Sequence, residues 1–430
     1  MGNDLFDNLM KTYDRQLDYS GINGERIAKR LYELSEIGFT SDGGVRRPGF
    51  SNEEKSAKQL VKSWMDEAGL KVTEDGAGNV IGRLDGVNND LPAVASGSHV
   101  DSVPNGGHFD GPVGVLAALE VASAWKEMNF IPKKPYEMII FTDEEGSRFN
   151  SGLTGSTAMT GNEDYAKQTQ MVDYNGDSFE SVLQAYGSSL QGFKEAKRDM
   201  KELEIFIEVH IEQGKKLEND DLPVGIVSGI AGPAWLEVTF TGEAGHAGNT
   251  PMNGRRDPLI AAAEFIQKVE GFPEKVSDTA VATIGKVNVS PNGINVIPQL
   301  VTLNVDIRDI YKDTRDELLQ LIIQEAEHIA GNREISINVK ENTKIQPVPI
   351  KKELQNKLAN SISKYGLEPA YIPSGAGHDA MNLGMHIPVA MLFVRSKDGI
   401  SHNPKEWSTL NDIVTTIHVL KDCVEGVMEE

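Results

Sequence analysis

The chain has 430 residues, with 42 Lys and Arg against 64 Asp and Glu, giving a formal charge of −22. At about 100–200 residues per domain, two or three domains are expected, and at this length a sizeable core can be buried. The acidic balance excludes a phosphate-backbone binder, whose affinity rests on Lys and Arg, and argues against docking on anionic lipid; neither a nucleic-acid nor a membrane partner is expected.

The N-terminal stretch lacks the basic segment and apolar core of a signal peptide. Its Met1–Gly2 start fails the myristoylation pattern because position 6 is Phe6. Residues 24–38 and 52–69 carry apolar positions at helical spacing, with Asn52 ahead of Glu53 and Glu54 as the expected cap. Short apolar runs follow at 79–86, 91–100, 136–145 and 203–214, with a helix expected over 114–128. Runs this continuous, together with 42 Gly and 19 Pro for tight loops, predict a largely buried α/β sheet.

After Pro223 the texture changes. The run 235–242 alternates at period two, a helix is expected over 257–271, and strands over 279–289 and 300–309. A second helix over 314–331 and a strand over 335–342 complete the order β-α-β-β-α-β, the ferredoxin-like split motif. This predicts a discontinuous first domain, 1–222 and 346–430, with a second domain, 223–345, inserted into it. The first domain resumes with a helix over 351–366 and a strand over 387–393. No apolar run approaches the ~18 residues that span a bilayer. The single cysteine, Cys423, excludes an internal disulfide and a thiolate zinc site, and fits a cytoplasmic home.

Three strands end in metal-type side chains: His99 closes one run, Glu144 and Glu145 another, His210 a third. His402 follows the 387–393 strand, and Asp110 lies in the Gly-rich loop NGGHFDGPVG. In open α/β sheets ligands bind outside the carboxyl ends of strands. A single histidine there is ordinarily structural; the joint pattern points to a metal centre. Its N and O donors suit Zn, Mn, Co or Ni. Five ligands exceed the needs of one tetrahedral ion, but two ions ~3.5–4 Å apart could share one carboxylate, with Asp110 the natural bridge. Asp101, two residues after His99, is expected to orient that imidazole. Of the pair Glu144 and Glu145, one would ligate and the other act as general base toward an attacking water.

The segments GSHVDSVPNGGHFDGPVG (97–114), FTDEEGSRF (141–149) and SHNPKEW (401–407) resemble the M20 family of di-metal hydrolases. The resemblance implies a mixed-sheet α/β catalytic domain with helices on both faces, carrying the ferredoxin-like insert as a lid or dimerisation domain, in a homodimer. It implies His99, Asp110, Glu145, His210 and His402 as ligands to two divalent ions per subunit, with Asp110 bridging and Glu144 as base. His210, within EVHIEQG, resembles the branch acting on ureido compounds, where peptidase and deacylase members usually carry an acid. GEAGHAGNTPMNGRRDP (242–258), NVIP (295–298) and DIRD (306–309) are similar to that branch too. By that similarity Gln213, His246, Asn295, Arg308 and Gly377 touch substrate, with His246 donating to the developing oxyanion and Arg308 holding a carboxylate. The expected substrate is a small ureido compound with a carboxylate: an N-carbamoyl-L-amino acid first, allantoate as the alternative, an aminoacylase or peptidase substrate third.

Other signals are discounted. GAGHDA (375–380) matches the permissive dinucleotide pattern but lacks a long preceding strand and a ribose-binding acid. His108 is expected at a loop surface and His378 near the pocket; His328, His386 and His418 are expected to be structural. The acidic stretch from Glu218 to Asp221 is expected to be a solvated turn.

Overall fold

The computed structural model describes residues 4–429, so the Met1–Gly2 start lies outside the described residues. Two compact units are present: Met1–Val227 with Ile350–Ile372 and His378–Glu430, and Ser228–Pro349 with Pro373–Gly377. The strand Val224–Ile230 crosses from the first into the second.

The first unit is built on a mixed sheet. Its strands lie in the order Lys71–Glu74, Val80–Leu84, Tyr136–Phe141, Ala93–His99, Leu203–Ile211, Val389–Val394 and Val224–Ile230. The four from Tyr136–Phe141 to Val389–Val394 run parallel to one another; each flanking strand pairs antiparallel with its inner neighbour. Ala93–His99, Tyr136–Phe141 and Val389–Val394 are buried at every residue, the signature of strands covered on both faces. The helix Pro112–Met128 packs on Ala93–His99 and Leu203–Ile211, and Leu410–Met428 packs on that helix and on Val389–Val394.

Several local elements differ from the expected ones. The helix Asn52–Ala68 is capped by Ser51, whose hydroxyl accepts the Glu54 N–H, rather than by Asn52. Ser51 is extended while Asn52 is already helical, as capping geometry requires. The strand Val224–Ile230, the helix Leu410–Met428 and the short helices between Thr154 and Glu195 lay outside the sequence reading.

In the second unit the strands lie in the order Ser336–Lys344, Ala234–Thr241, Leu300–Arg308, Val281–Ser290, all antiparallel, with helices Pro258–Glu270 and Lys312–Asn332 between them in the chain. This is the ferredoxin-like arrangement. Strict alternation along Ala234–Thr241 and Leu300–Arg308 turns Leu236, Val238, Phe240, Val301, Leu303 and Val305 into one core with Phe265, Leu319 and Ile322 of the two helices. No described helix is long and apolar enough to cross a membrane.

Candidate metal centre

His99 is the last residue of Ala93–His99, His210 the last but one of Leu203–Ile211, and Glu144 and Glu145 follow Tyr136–Phe141. Because these strands are parallel neighbours, their carboxyl ends deliver the side chains to one edge. Asp110 stands just before the helix Pro112–Met128. Gly111 makes that turn possible: its φ is +80°, and a Cβ there would lie 2.5 Å from His99 Cε1.

Two donor groups form around Asp110. His99, Asp110 and His210 bring their ligand atoms within 4.8 Å of one another, and so do Asp110, Glu145 and His402. Asp110 Oδ1 is 3.1 Å from His210 Nε2 and 3.6 Å from His99 Nε2, while Oδ2 is 3.5 Å from His402 Nε2. His402 Nε2 is 3.4 Å from Glu145 Oε2. Glu144 Oε2 stands 3.7 Å from His99 Nε2.

Burial opposes charge throughout this cluster, and neighbouring charges decide each outcome. Against burial, His210 and the other two imidazoles hold Asp110 well below the usual carboxylate range. Burial, reinforced by Asp110, pushes Glu145 up to about 7. Burial also raises Glu144 well above its ordinary value, with Glu145 adding and His99 opposing. The hydrogen bond to Asp110 raises His402 to about 9.

The donor set fits divalent cations. His99 Nε2 is fully buried with no hydrogen-bond partner, a position that is costly unless a cation or proton acceptor meets it. The ion-pair partners of Asp110, Glu144 and Glu145 are the histidines themselves. Imidazole and carboxylate without thiolate is the chemistry of Zn, Mn, Co or Ni sites.

Asp101 lies against His99 and also supports the acidic pair. The nearest acceptor to His99 Nδ1 is the Asp101 main-chain oxygen at 3.1 Å, with Oδ1 at 3.5 Å. The Asp101 carboxylate also accepts the backbone N–H of Glu144 and of Glu145, each at 3.1 Å, and so orients the acidic pair. Gln213, in the left-handed region at φ 55°, donates from Nε2 to Asp110 Oδ2 at 2.7 Å and to Ser401 Oγ at 3.1 Å. His108 is buried, not at the surface: its Nε2 lies 3.1 Å from the Gly43 carbonyl oxygen, and burial pushes its pKa down to about 4. His378 is also buried, its ring centre 4.5 Å from that of His210.

His246, Asn295, Arg308 and Gly377 belong to the second unit. His246, itself exposed, pairs with Val296, beside Asn295, in a two-residue ribbon whose Ile297 is buried. Its Nδ1 accepts the N–H groups of Gly248 and Asn249, which leaves the proton of the neutral ring on Nε2 as an outward donor. Arg308, at the end of Leu300–Arg308, donates to both carboxylate oxygens of Asp306 at 2.9 and 2.8 Å and to the Gly375 carbonyl at 2.6 Å.

A family model for peptidase family M20/M25/M40 matches residues 95–426. The chain is 43% identical to an N-carbamoyl-L-amino acid amidohydrolase of Geobacillus stearothermophilus, over 93% of this chain and 97% of that one. It is 36% identical to an allantoate amidohydrolase of Bacillus subtilis, over 90% and 94%. The solved structure of a hydantoinase/carbamoylase-family amidase from Burkholderia multivorans superposes with a TM-score of 0.88 at 33% identity, covering 95% of this chain and 99% of that one. The chain belongs to the M20/M25/M40 family. It is a hydrolase, and the two carboxylate–histidine groups agree with the metal dependence of M20 enzymes.

Ser401, Glu406 and Glu208 also sit in this M20 cluster, and sequence reasoning singled out none of them. Glu208 Oε1 accepts the Ser98 hydroxyl at 2.9 Å, and Oε2 the Ala380 N–H at 3.0 Å. The available signal was position: Glu208 precedes His210 by two residues in a buried strand, and Ser401 and Glu406 flank His402 in SHNPKEW.

Proposed function

We propose that this chain hydrolyses the ureido C–N bond of N-carbamoyl-L-amino acids, releasing the amino acid and a carbamate that breaks down to ammonia and carbon dioxide. The single observation that carries the reading is the pair of donor groups joined at Asp110, with His210 on its inner side. Relatives named for N-carbamoyl-L-amino acid hydrolysis, at up to 43% identity over nearly the whole chain, support the substrate class. His99 and His210 would hold one divalent ion and Glu145 and His402 a second, with Asp110 between them. Such ions polarise a carbonyl and lower the pKa of an attacking water toward about 7.

In this reading Glu144, raised in pKa and beside rather than within either donor group, takes the proton from the attacking water. It returns that proton to the departing nitrogen as the C–N bond breaks. The outward Nε2–H of His246 donates to the carbonyl oxygen as negative charge develops there. Arg308 exchanges its internal partner Asp306 for the substrate carboxylate, keeping two parallel hydrogen bonds. Gln213, Asn295 and Gly377 supply further polar contacts to substrate. A homodimer, a cytoplasmic location and Zn or Mn as the ions are part of the same proposal.

Allantoate is the second reading, since it too presents a ureido group and a carboxylate, and it is supported by a relative named for that activity at 36% identity. The test is release of ammonia or free amine by chelator-stripped, metal-reloaded enzyme from N-carbamoyl-L-amino acids, their D-forms, allantoate and N-acetyl-amino acids. Metal-dependent turnover of the L-carbamoyl compounds is expected. Turnover of allantoate alone would move the chain to the second reading, and turnover of acetyl compounds alone would remove both.

A further inference from the structure

We propose that Glu406 is a positioning residue that ties the loop carrying Asp110 to the loop carrying His402, and so sets how the two donor groups meet. The inference rests on the metal-centre reading above. Glu406 is 2% exposed although it lies in a polar loop. Its Oε1 accepts two main-chain N–H groups, from Phe109 at 2.9 Å and from Asp110 itself at 3.0 Å. Its Oε2 lies 3.0 Å from Ser401 Oγ, the hydroxyl just before His402.

Three further observations make this a built joint. Gly107 leaves the space the carboxylate fills: a Cβ there would stand 2.2 Å from Glu406 Cδ. The rings of Phe109 and Trp407 meet edge to face with centres 5.4 Å apart, closing the same two loops from their next residues. His402 has φ 54°, a conformation that costs a non-glycine residue free energy and persists only when its surroundings hold it.

Ser401 couples the joint to the ligand atom. Its Oγ is 2.6 Å from Asp110 Oδ2 as well as 3.0 Å from Glu406 Oε2, and one hydroxyl proton serves one of these acceptors at a time. Glu406 thus holds Asp110 through the main chain at one carboxylate oxygen, and with the other it shares the Ser401 hydroxyl with the Asp110 carboxylate. It touches neither donor atoms nor substrate, so its effect passes through Asp110 and His402.

The length of this side chain matters here more than its charge. A glutamine at 406 keeps an oxygen for the two N–H groups and can donate from its amide to Ser401 Oγ; an aspartate keeps the charge but falls one methylene short. The experiment is titration of the stripped full-length protein with Mn2+ or Co2+ alone, together with melting temperatures of the stripped and loaded forms. Glu406→Ala and Glu406→Asp are expected to bind at least one ion about 10–100-fold more weakly, and to show a smaller rise in melting temperature on loading. Glu406→Gln is expected to stay within about threefold of the parent, a change well below that range. Unchanged ion affinity in the Asp variant, or a Gln variant as weak as the Asp one, overturns the proposal. So does a stripped form that melts lower with its ion affinity intact, which would mark Glu406 as a folding residue only. Parent protein that takes up no ion at all overturns the metal-centre reading itself, and the proposal with it.

Discussion

The two donor groups that meet at Asp110 are built differently. His99 and His210 project from strands of the central sheet and are 0% and 2% exposed. Their partners across the centre, Glu145 and His402, come from loops, and the His402 side chain is 50% exposed at a left-handed turn. Side chains on strands are placed more sharply than side chains on loops. The inner group is therefore an enclosed seat, and the outer group opens toward solvent at His402. A hydrolase needs both, because substrate and water must reach a centre whose geometry does not relax.

This contrast can be sharpened or broken by substitution. The largest effect is expected from Glu144→Gln, which removes the proposed base and leaves every atom of both donor groups. The rate should fall by about 10²–10⁴ with ion content unchanged, measured by turnover and metal analysis on one sample. Activity near the parent level would return the base role to another residue. Next in size, His402→Ala should abolish retention of the outer ion through gel filtration while the inner ion stays, whereas His210→Ala should loosen the inner one. Equal loss of both ions in both variants would erase the distinction. The smallest effect belongs to the second unit: Arg308→Ala should raise KM for carboxylate-bearing substrates about 10–100-fold, the loss of charge-assisted hydrogen bonds of ~1.5–3 kcal/mol. Ion content and kcat should hold, and an unchanged KM would leave Arg308 as the strand-end partner of Asp306.

The two kinds of residue were unequally legible in the sequence. His99, His210 and the pair Glu144–Glu145 could be read because each closes an apolar run, and the end of a buried parallel strand is where α/β folds place ligands. The second unit was legible because Ala234–Thr241 and Leu300–Arg308 alternate strictly, one face on the helices. Glu406 was not, because its partners are mostly main-chain N–H groups, which carry no residue identity. The place of Asp101 beside His99 is legible from its spacing, whereas its hold on the backbone N–H groups of Glu144 and Glu145 is not, for the same reason. Leu410–Met428 is buried over most of its length, including His418 and Lys421, so polar and apolar residues share its covered faces and blur the helical period. Val224–Ile230, with glycines at 225 and 229, reads as loop until its neighbours supply the ladder.

The most direct test of the whole account is the number of ions that Asp110 organises. Stripped parent protein and Asp110→Ala, each shown by circular dichroism to be folded, would be titrated calorimetrically with Mn2+ or Co2+. A shared carboxylate is expected to give two bound ions per chain in the parent and loss of tight binding at both positions in the variant. A parent that binds one ion, or a variant that still binds two tightly, would contradict a centre built around Asp110.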